Sequence, residues 1–301
     1  MLSTNINRSS NSTGTPRNEN ATQKLIRENV AFLVQQLEAG KSDALTSYLT
    51  AMSYFHNYSF GNILQIARQK PDATRVAGLY AWNQLGRRVK KGEKGIQILA
   101  PMVGIQRKKD AEAEQDITKQ NVPVLVGFRA MYVFDISQTD GAELPEHASV
   151  TGKVGEQRDR LIEFVTAQGI ELEFNERIAP AMGISYGGKI VLLPGQSKAE
   201  EFSTLVHELA HEMLHKAERR TQTTKVVRET EAEAVAFVVG KAVGLETGTA
   251  SADYIQLYHG NASLLAESLE VIQKTSAVIL AALEAKPEVE QQSTDAMAVA
   301  S

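Results

Sequence analysis

The sequence predicts an α+β protein in two parts: a helical and β N-terminal part, then a mainly helical C-terminal part with a small β-sheet. Three observations carry that expectation. Helical periodicity dominates residues 23–68 and returns over residues 197–283. Between them, apolar residues mark strands at 96–101 and 122–136, with Val124, Val126, Phe128, Tyr132 and Phe134 on the second. Gly187-Gly188 inside Ile184–Leu193 marks a further hairpin in the C-terminal part.

Taken in order, residues 1–20 are rich in Ser, Asn and Thr and read as a disordered tail. Leu25, Val30, Leu33, Val34 and Leu37 define one helix, ending at Ala39-Gly40. Leu45, Tyr48, Leu49 and Met52 line a second, from Asp43 to Ser53. Ser59 reads as the cap of a third, through Arg68, which Pro71 keeps from continuing. Residues 77–95 lead into the first strand, and the charged residues 107–120 read as the tip of a hairpin pairing it with the second. A polar linker, 141–152, divides an N-terminal domain, 21–140, from a C-terminal one, 153–285, with a loose tail at 286–301. The second domain opens on a helix at 155–167 and a strand at 170–174, and helices near 254–259 and 264–283 close it.

The chemistry concentrates in Thr204–His215, where His207-Glu208-Leu-Ala-His211 lies in an apolar helical segment. Ser197-Lys-Ala-Glu200 ahead of it reads as a capping box. On a helix, His207 and His211 share a face about 6 Å apart along the axis. Two imidazoles so placed can converge on one Zn²⁺ or another divalent transition metal, and Glu208 can take a proton from a water polarised by the ion. Val206, Leu209, Ala210, Met213 and Leu214 make the helix buried on most sides, and buried imidazoles need polar partners. His215 would lie about 12 Å from His207 on an unbroken helix, too far to share the ion. It reads as a polar contact near the helix end. A third ligand is expected on the next helix, Val226–Val239, which carries Glu229, Glu231 and Glu233 among apolar residues on nearly every side. Periodicity does not choose among the three. Glu229 and Glu233 are four apart and share a face, so one can ligate while the other orients a histidine.

Charge is unevenly spread. Between His56 and Lys109 there are eleven Lys and Arg against Asp72 and Glu93, a local +9 in a chain of net −4. Such asymmetry points to a polyanion partner. Arg87, Arg88, Lys90, Lys91 and Lys94 are the cations grouped behind Trp82, and aromatics such as Tyr58 and Trp82 could stack on unpaired bases; the alternative is that Trp82 is a core residue and Lys90-Lys91-Gly92 a solvated turn.

Several stretches resemble the N-terminal single-stranded-DNA-binding domain of ArdC-type antirestriction proteins. They are Asn57-Tyr-Ser-Phe-Gly-Asn62, Pro71-x-Ala-Thr-x-Val76, Trp82-x-x-Leu-Gly86-Arg87, Val89-Lys-Lys-Gly-Glu-Lys-Gly95 and Val133-Phe-Asp-Ile-Ser-Gln-Thr139. His207-Glu208-Leu-Ala-His211 with Glu229-x-x-x-Glu233 is similar to the zincin-like (gluzincin) domain of the same proteins and, more distantly, to ImmA/IrrE-type metallopeptidases. The resemblance implies metal ligands at His207, His211 and Glu229, a supporting role for Glu233, and Glu208 as catalytic base. Glu231 is then expected to stand outside the metal site.

Composition sets the outer limits. The chain has 301 residues and no cysteine, which excludes a disulfide framework and thiolate chemistry and suits a reducing cytoplasm. Its N-terminus lacks the apolar core of a signal peptide, and no apolar run is long enough to span a bilayer. The function that the resemblance implies is a single-stranded-DNA-binding antirestriction protein of a mobile element, with a zinc metallopeptidase domain acting on a peptide or protein substrate. The alternatives are a DNA-binding shield whose metal is structural, and a regulatory protease that cleaves a repressor.

Overall fold

The computed structural model describes residues 21–41, 43–106, 122–144, 154–245, 254–258 and 260–284. The two terminal tails, the charged hairpin tip and most of the linker lie outside these residues. What is described is a mixed α+β fold.

Helices α1 (Ala21–Glu38), α2 (Asp43–Tyr54) and α3 (Phe60–Gln69) open the chain. Ser59 holds the N-cap position of α3 with an extended backbone, but its side chain makes no capping hydrogen bond. Strand β1 (Val76–Ala77), helix α4 (Leu79–Gln84) and strands β2 (Arg87–Val89), β3 (Ile96–Gln106), β4 (Val122–Asp135) and β5 (Thr139–Gly141) follow. β4 is central, antiparallel to both β1 and β3, while β2 pairs with β5. Helix α3 covers the outer edge of β3 with two amides seven residues apart, hence on one face. Asn62 donates Nδ2 to Leu99 O (2.8 Å) and accepts from Leu99 N (2.9 Å). Gln69 does the same for Gln97, at 2.9 Å each way. These amides occupy backbone groups that would otherwise offer a free sheet edge.

Helix α5 (Val154–Ala167) leads to β6 (Glu171–Phe174), β7 (Gly183–Ser185) and β8 (Lys189–Leu192), in the order β6-β8-β7. β7 and β8 form the expected hairpin about Gly187-Gly188. Helix α6 (Lys198–Leu214) starts at the capping box, with Ser197 N bonded to Glu200 (2.9 Å) and Glu200 N to Ser197 Oγ (3.3 Å). Helices α7 (Ala217–Gln222), α8 (Lys225–Ala242) and α9 (Ala262–Glu284) complete it. No helix among the described residues is long and apolar enough to cross a membrane.

One buried cluster runs through both parts, from Leu33, Leu45 and Ile63 to Leu209, Val238 and Leu280. α2 packs on α8 and α1 on α9. This explains why α8 is apolar all round: α6, α9 and α2 enclose it. Polar clasps reinforce the contact. His56 Nε2 meets Glu284 Oε1 at 3.0 Å, and Tyr258 donates to Glu38 at 2.7 Å, which turns Tyr258 toward α1. The linker therefore does not separate two independent cores. A fragment of residues 21–144 leaves bare the faces of α1 and α2 that α9 and α8 cover. It is expected to lose the cooperative thermal transition that the full chain shows by circular dichroism. A fragment melting as sharply as the full chain would contradict this packing.

Candidate metal centre and candidate nucleic-acid face

α6 and α8 pack against each other and bring three polar side chains together between them. His207 Nε2 and His211 Nε2 lie 3.1 Å apart. Glu229 Oε2 lies 3.6 Å from the first and 3.5 Å from the second. Donors bound tetrahedrally at about 2.0–2.1 Å to one ion stand about 3.4 Å apart. The triangle thus has the dimensions of a three-ligand metal site, and these three residues also form a metal-compatible cluster on ligand-atom distances alone. Glu233 Oε2 sits 3.5 Å from His207 Nδ1, on the far side of that ring.

The electrostatics follow from packing. Burial opposes a charge on His207, yet Glu229 and Glu233 outweigh it and raise its pKa to about 9. Burial and the His207 charge push His211 down to about 4. Its contact with His207 holds Glu229 near 2. An ion must displace the His207 proton, so divalent-metal affinity is expected to rise about tenfold per pH unit from pH 7 toward 9. A chelator-competition titration reads this, and an affinity flat over that range would contradict it.

Glu208 is buried, and burial raises its carboxyl pKa. It lines a cavity of about 540 Å³ together with His207, His211, Glu229 and residues Gly183–Ser185 of β7. Close approach places it there. A Cβ built on Gly183 would stand 2.8 Å from Glu208 Cγ and 2.7 Å from Thr204 Cγ2. Gly183→Ala is therefore expected to displace Glu208, leave metal content intact and lower any hydrolytic turnover at least tenfold. Turnover equal to wild type would remove Gly183 from the site's construction. Sequence reasoning missed Glu212, which clamps the β7–β8 turn onto α6 by accepting from Gly187 N (2.7 Å), Gly188 N (2.6 Å) and Ser185 Oγ (2.5 Å).

The structure sorts the candidate nucleic-acid residues into two groups. Trp82 is fully buried and donates Nε1 to Phe134 O (2.9 Å), so it offers no face to a base. Tyr58 is half-buried, edge-on to Phe55 and bonded to Val76 O (3.4 Å). Arg87 spends its guanidinium on Thr139 Oγ1 (2.8 Å), Thr139 O (2.9 Å) and Ala142 O, riveting β2 to β5. Trp82 is thus taken up by the core, the alternative the sequence left open, and Tyr58 and Arg87 are engaged by neighbours within the fold. Lys90 is exposed but donates to Ser137 O (3.0 Å). Arg88, Lys91 and Lys94 are exposed, and their side chains make no hydrogen bond or ion pair among the described residues.

Among the described residues before 145, the most exposed rings are Tyr80 (75 % exposed) and Tyr132 (58 %). Tyr80 lies two residues before Trp82, hence on nearly the opposite side of α4. Gly95 lets the basic turn lie against Tyr132, since a Cβ there would stand 2.9 Å from Tyr132 Cβ. Replacing Arg88, Lys91 and Lys94 together by Ala is expected to flatten the salt dependence of single-strand binding by up to about 2 log units per tenfold salt. Arg87→Ala should instead lower the melting temperature. Fluorescence anisotropy across a salt series separates the two, and an unchanged slope in the triple variant would rule out this face.

Fold and cluster together define an α+β protein with a candidate divalent-metal centre between two helices. Residues 18–134 match the family model of the N-terminal domain of anti-restriction factor ArdC, so this part of the chain is similar to that domain. Over 262 residues it is 25 % identical to an uncharacterized protein of Bacillus anthracis, a match covering 74 % of this chain and 44 % of that one. The chain thus spans less than half the length of this relative. Two crystal structures of the antirestriction ArdC protein from the R388 plasmid are also similar. The metal-free one has a TM-score of 0.49 at 18 % identity, covering 88 % of this chain and 97 % of that one. The Mn(II)-bound one has a TM-score of 0.49 at 19 % identity, covering 90 % and 100 %.

Proposed function

We propose that this chain is an antirestriction-type protein that binds single-stranded DNA and carries a metallopeptidase-like centre for one divalent transition ion. The observation that carries the second half is the triangle of His207 Nε2, His211 Nε2 and Glu229 Oε2 beside buried Glu208. Two imidazoles and a carboxylate suit zinc and its neighbours. The N-terminal reading rests on the family match and on the basic turn against Tyr132.

His207, His211 and Glu229 would hold the ion, and Glu233 would orient the His207 ring. Bound there, a divalent ion supplies Lewis-acid polarisation of a carbonyl and activation of water. Glu208 takes the proton from the attacking water and passes it to the leaving amine nitrogen as the C–N bond breaks. Burial suits it to both roles, because a carboxyl whose pKa is raised holds a proton more readily than an ordinary carboxylate and can return it. The β7 strand, at the edge of its sheet, is where an extended peptide would pair. An open cavity beside the cluster favours this over a purely structural metal. The test is hydrolysis of a fluorogenic peptide pool by the zinc-loaded full chain. Turnover abolished by chelator and restored by zinc is expected. A fully zinc-loaded chain that cleaves no member of the pool would refute the peptidase reading.

A further inference from the structure

His215 ends α6 as its C-cap, with φ −100° and ψ 46°. Leaving helical geometry there lets its ring fold back beneath His211, with ring centroids 4.9 Å apart. Its Nδ1 lies 2.7 Å from His211 Nδ1, and its Nε2 lies 3.0 Å from Glu231 Oε2. His215 and Glu231 side chains are wholly buried. Glu231 also accepts from Arg219 Nε (3.2 Å) and Ser268 Oγ (2.6 Å). A chain of contacts thus runs from Arg219 and Ser268 through Glu231 and His215 to His211.

Counting hydrogens along this chain leaves one arrangement. The Glu231 carboxylate, gripped by a guanidinium and a hydroxyl, only accepts, so His215 Nε2 carries a hydrogen toward it. A neutral His215 then has a lone pair at Nδ1, and the 2.7 Å contact requires a donor opposite: His211 Nδ1–H. His211 Nε2 is left bare, pointing at His207 Nε2 and Glu229. The reverse arrangement would put the hydrogen on His211 Nε2, where it would block a metal. Arg219 already offsets the Glu231 charge.

We propose that His215, held by Glu231, is a positioning residue that fixes His211 in the Nδ1–H tautomer and leaves its Nε2 free to ligate. This rests on the metal reading above, but the tautomer it requires is a property of the protein without metal. The experiment is long-range ¹H–¹⁵N correlation of the metal-free full chain labelled at its six histidines. His211 is expected as the Nδ1–H tautomer and His215 as the Nε2–H tautomer. Either in the opposite form overturns the proposal, whatever the metal result. Zinc titration against a chromophoric chelator supplies the second readout. His215→Phe is expected to weaken affinity about 10–100-fold, and His215→Asn, whose amide can accept from His211, to recover most of that loss. A folded His215→Phe with wild-type affinity overturns the proposal. A wild-type chain that binds no zinc refutes the metal reading alone and leaves the tautomer result standing.

Discussion

Glu231→Ala is expected to destabilise the protein by about 3–5 kcal/mol, more than any other single substitution at the site. The residue is fully buried and its carboxylate meets His215, Arg219 and Ser268. Truncation leaves a guanidinium and an imidazole in the interior without their acceptor. Urea denaturation read by tryptophan fluorescence and circular dichroism measures the loss, against Glu233→Ala, whose exposed side chain should change the midpoint little. A Glu231→Ala midpoint equal to that of Glu233→Ala would contradict the network. The same group sets a pH dependence. Burial works to raise the Glu231 pKa, but the bonds from His215, Arg219 and Ser268 overcome it and lower it below the ordinary carboxylate value. Its contribution is therefore complete above that ordinary value and is lost as pH falls through the lowered one. Glu231→Gln should show a smaller loss of stability on acidification than wild type.

Glu208→Gln is expected to keep the ion and the fold while lowering peptide hydrolysis by about 10²–10⁴-fold. The amide matches the carboxylate in size but cannot accept the proton of the attacking water. Because Glu208 is not one of the three atoms of the triangle, metal content should match wild type within error. Loss of metal in this variant would show that Glu208 ligates. Full turnover would remove it from the mechanism.

Much of this site was legible in the sequence because helical spacing is a strong constraint. His207 and His211 four residues apart had to share a face, and Glu229 and Glu233 likewise. The capping box at Ser197 located the start of α6 without ambiguity. Glu231 was read only as standing outside the metal site, and its buried network was not legible for a physical reason. Spacing placed it on another face of α8 from Glu229, but could not show that α9 and the α6–α7 junction enclose that face and supply Ser268, His215 and Arg219. Spacing read His215 as a polar contact near the helix end, but could not show that its partners are His211 and Glu231. Among the basic residues, Arg87 and Arg88 look equivalent as a dipeptide. Pairing of β2 with β5 turns Arg87 onto Thr139 and leaves Arg88 in solvent. Trp82 and Tyr80, two apart on one turn, divide the same way into a core ring and an exposed one. The shared core escaped because a polar linker in sequence says nothing of which faces meet across it.

The most direct test of the metal centre is the metal content of the purified full chain, by inductively coupled plasma mass spectrometry, for wild type and Glu229→Ala loaded with zinc and desalted. About one ion per wild-type chain and almost none in a folded Glu229→Ala is the expected result. An equal ion count in the two, or a wild-type chain that retains none, would contradict it.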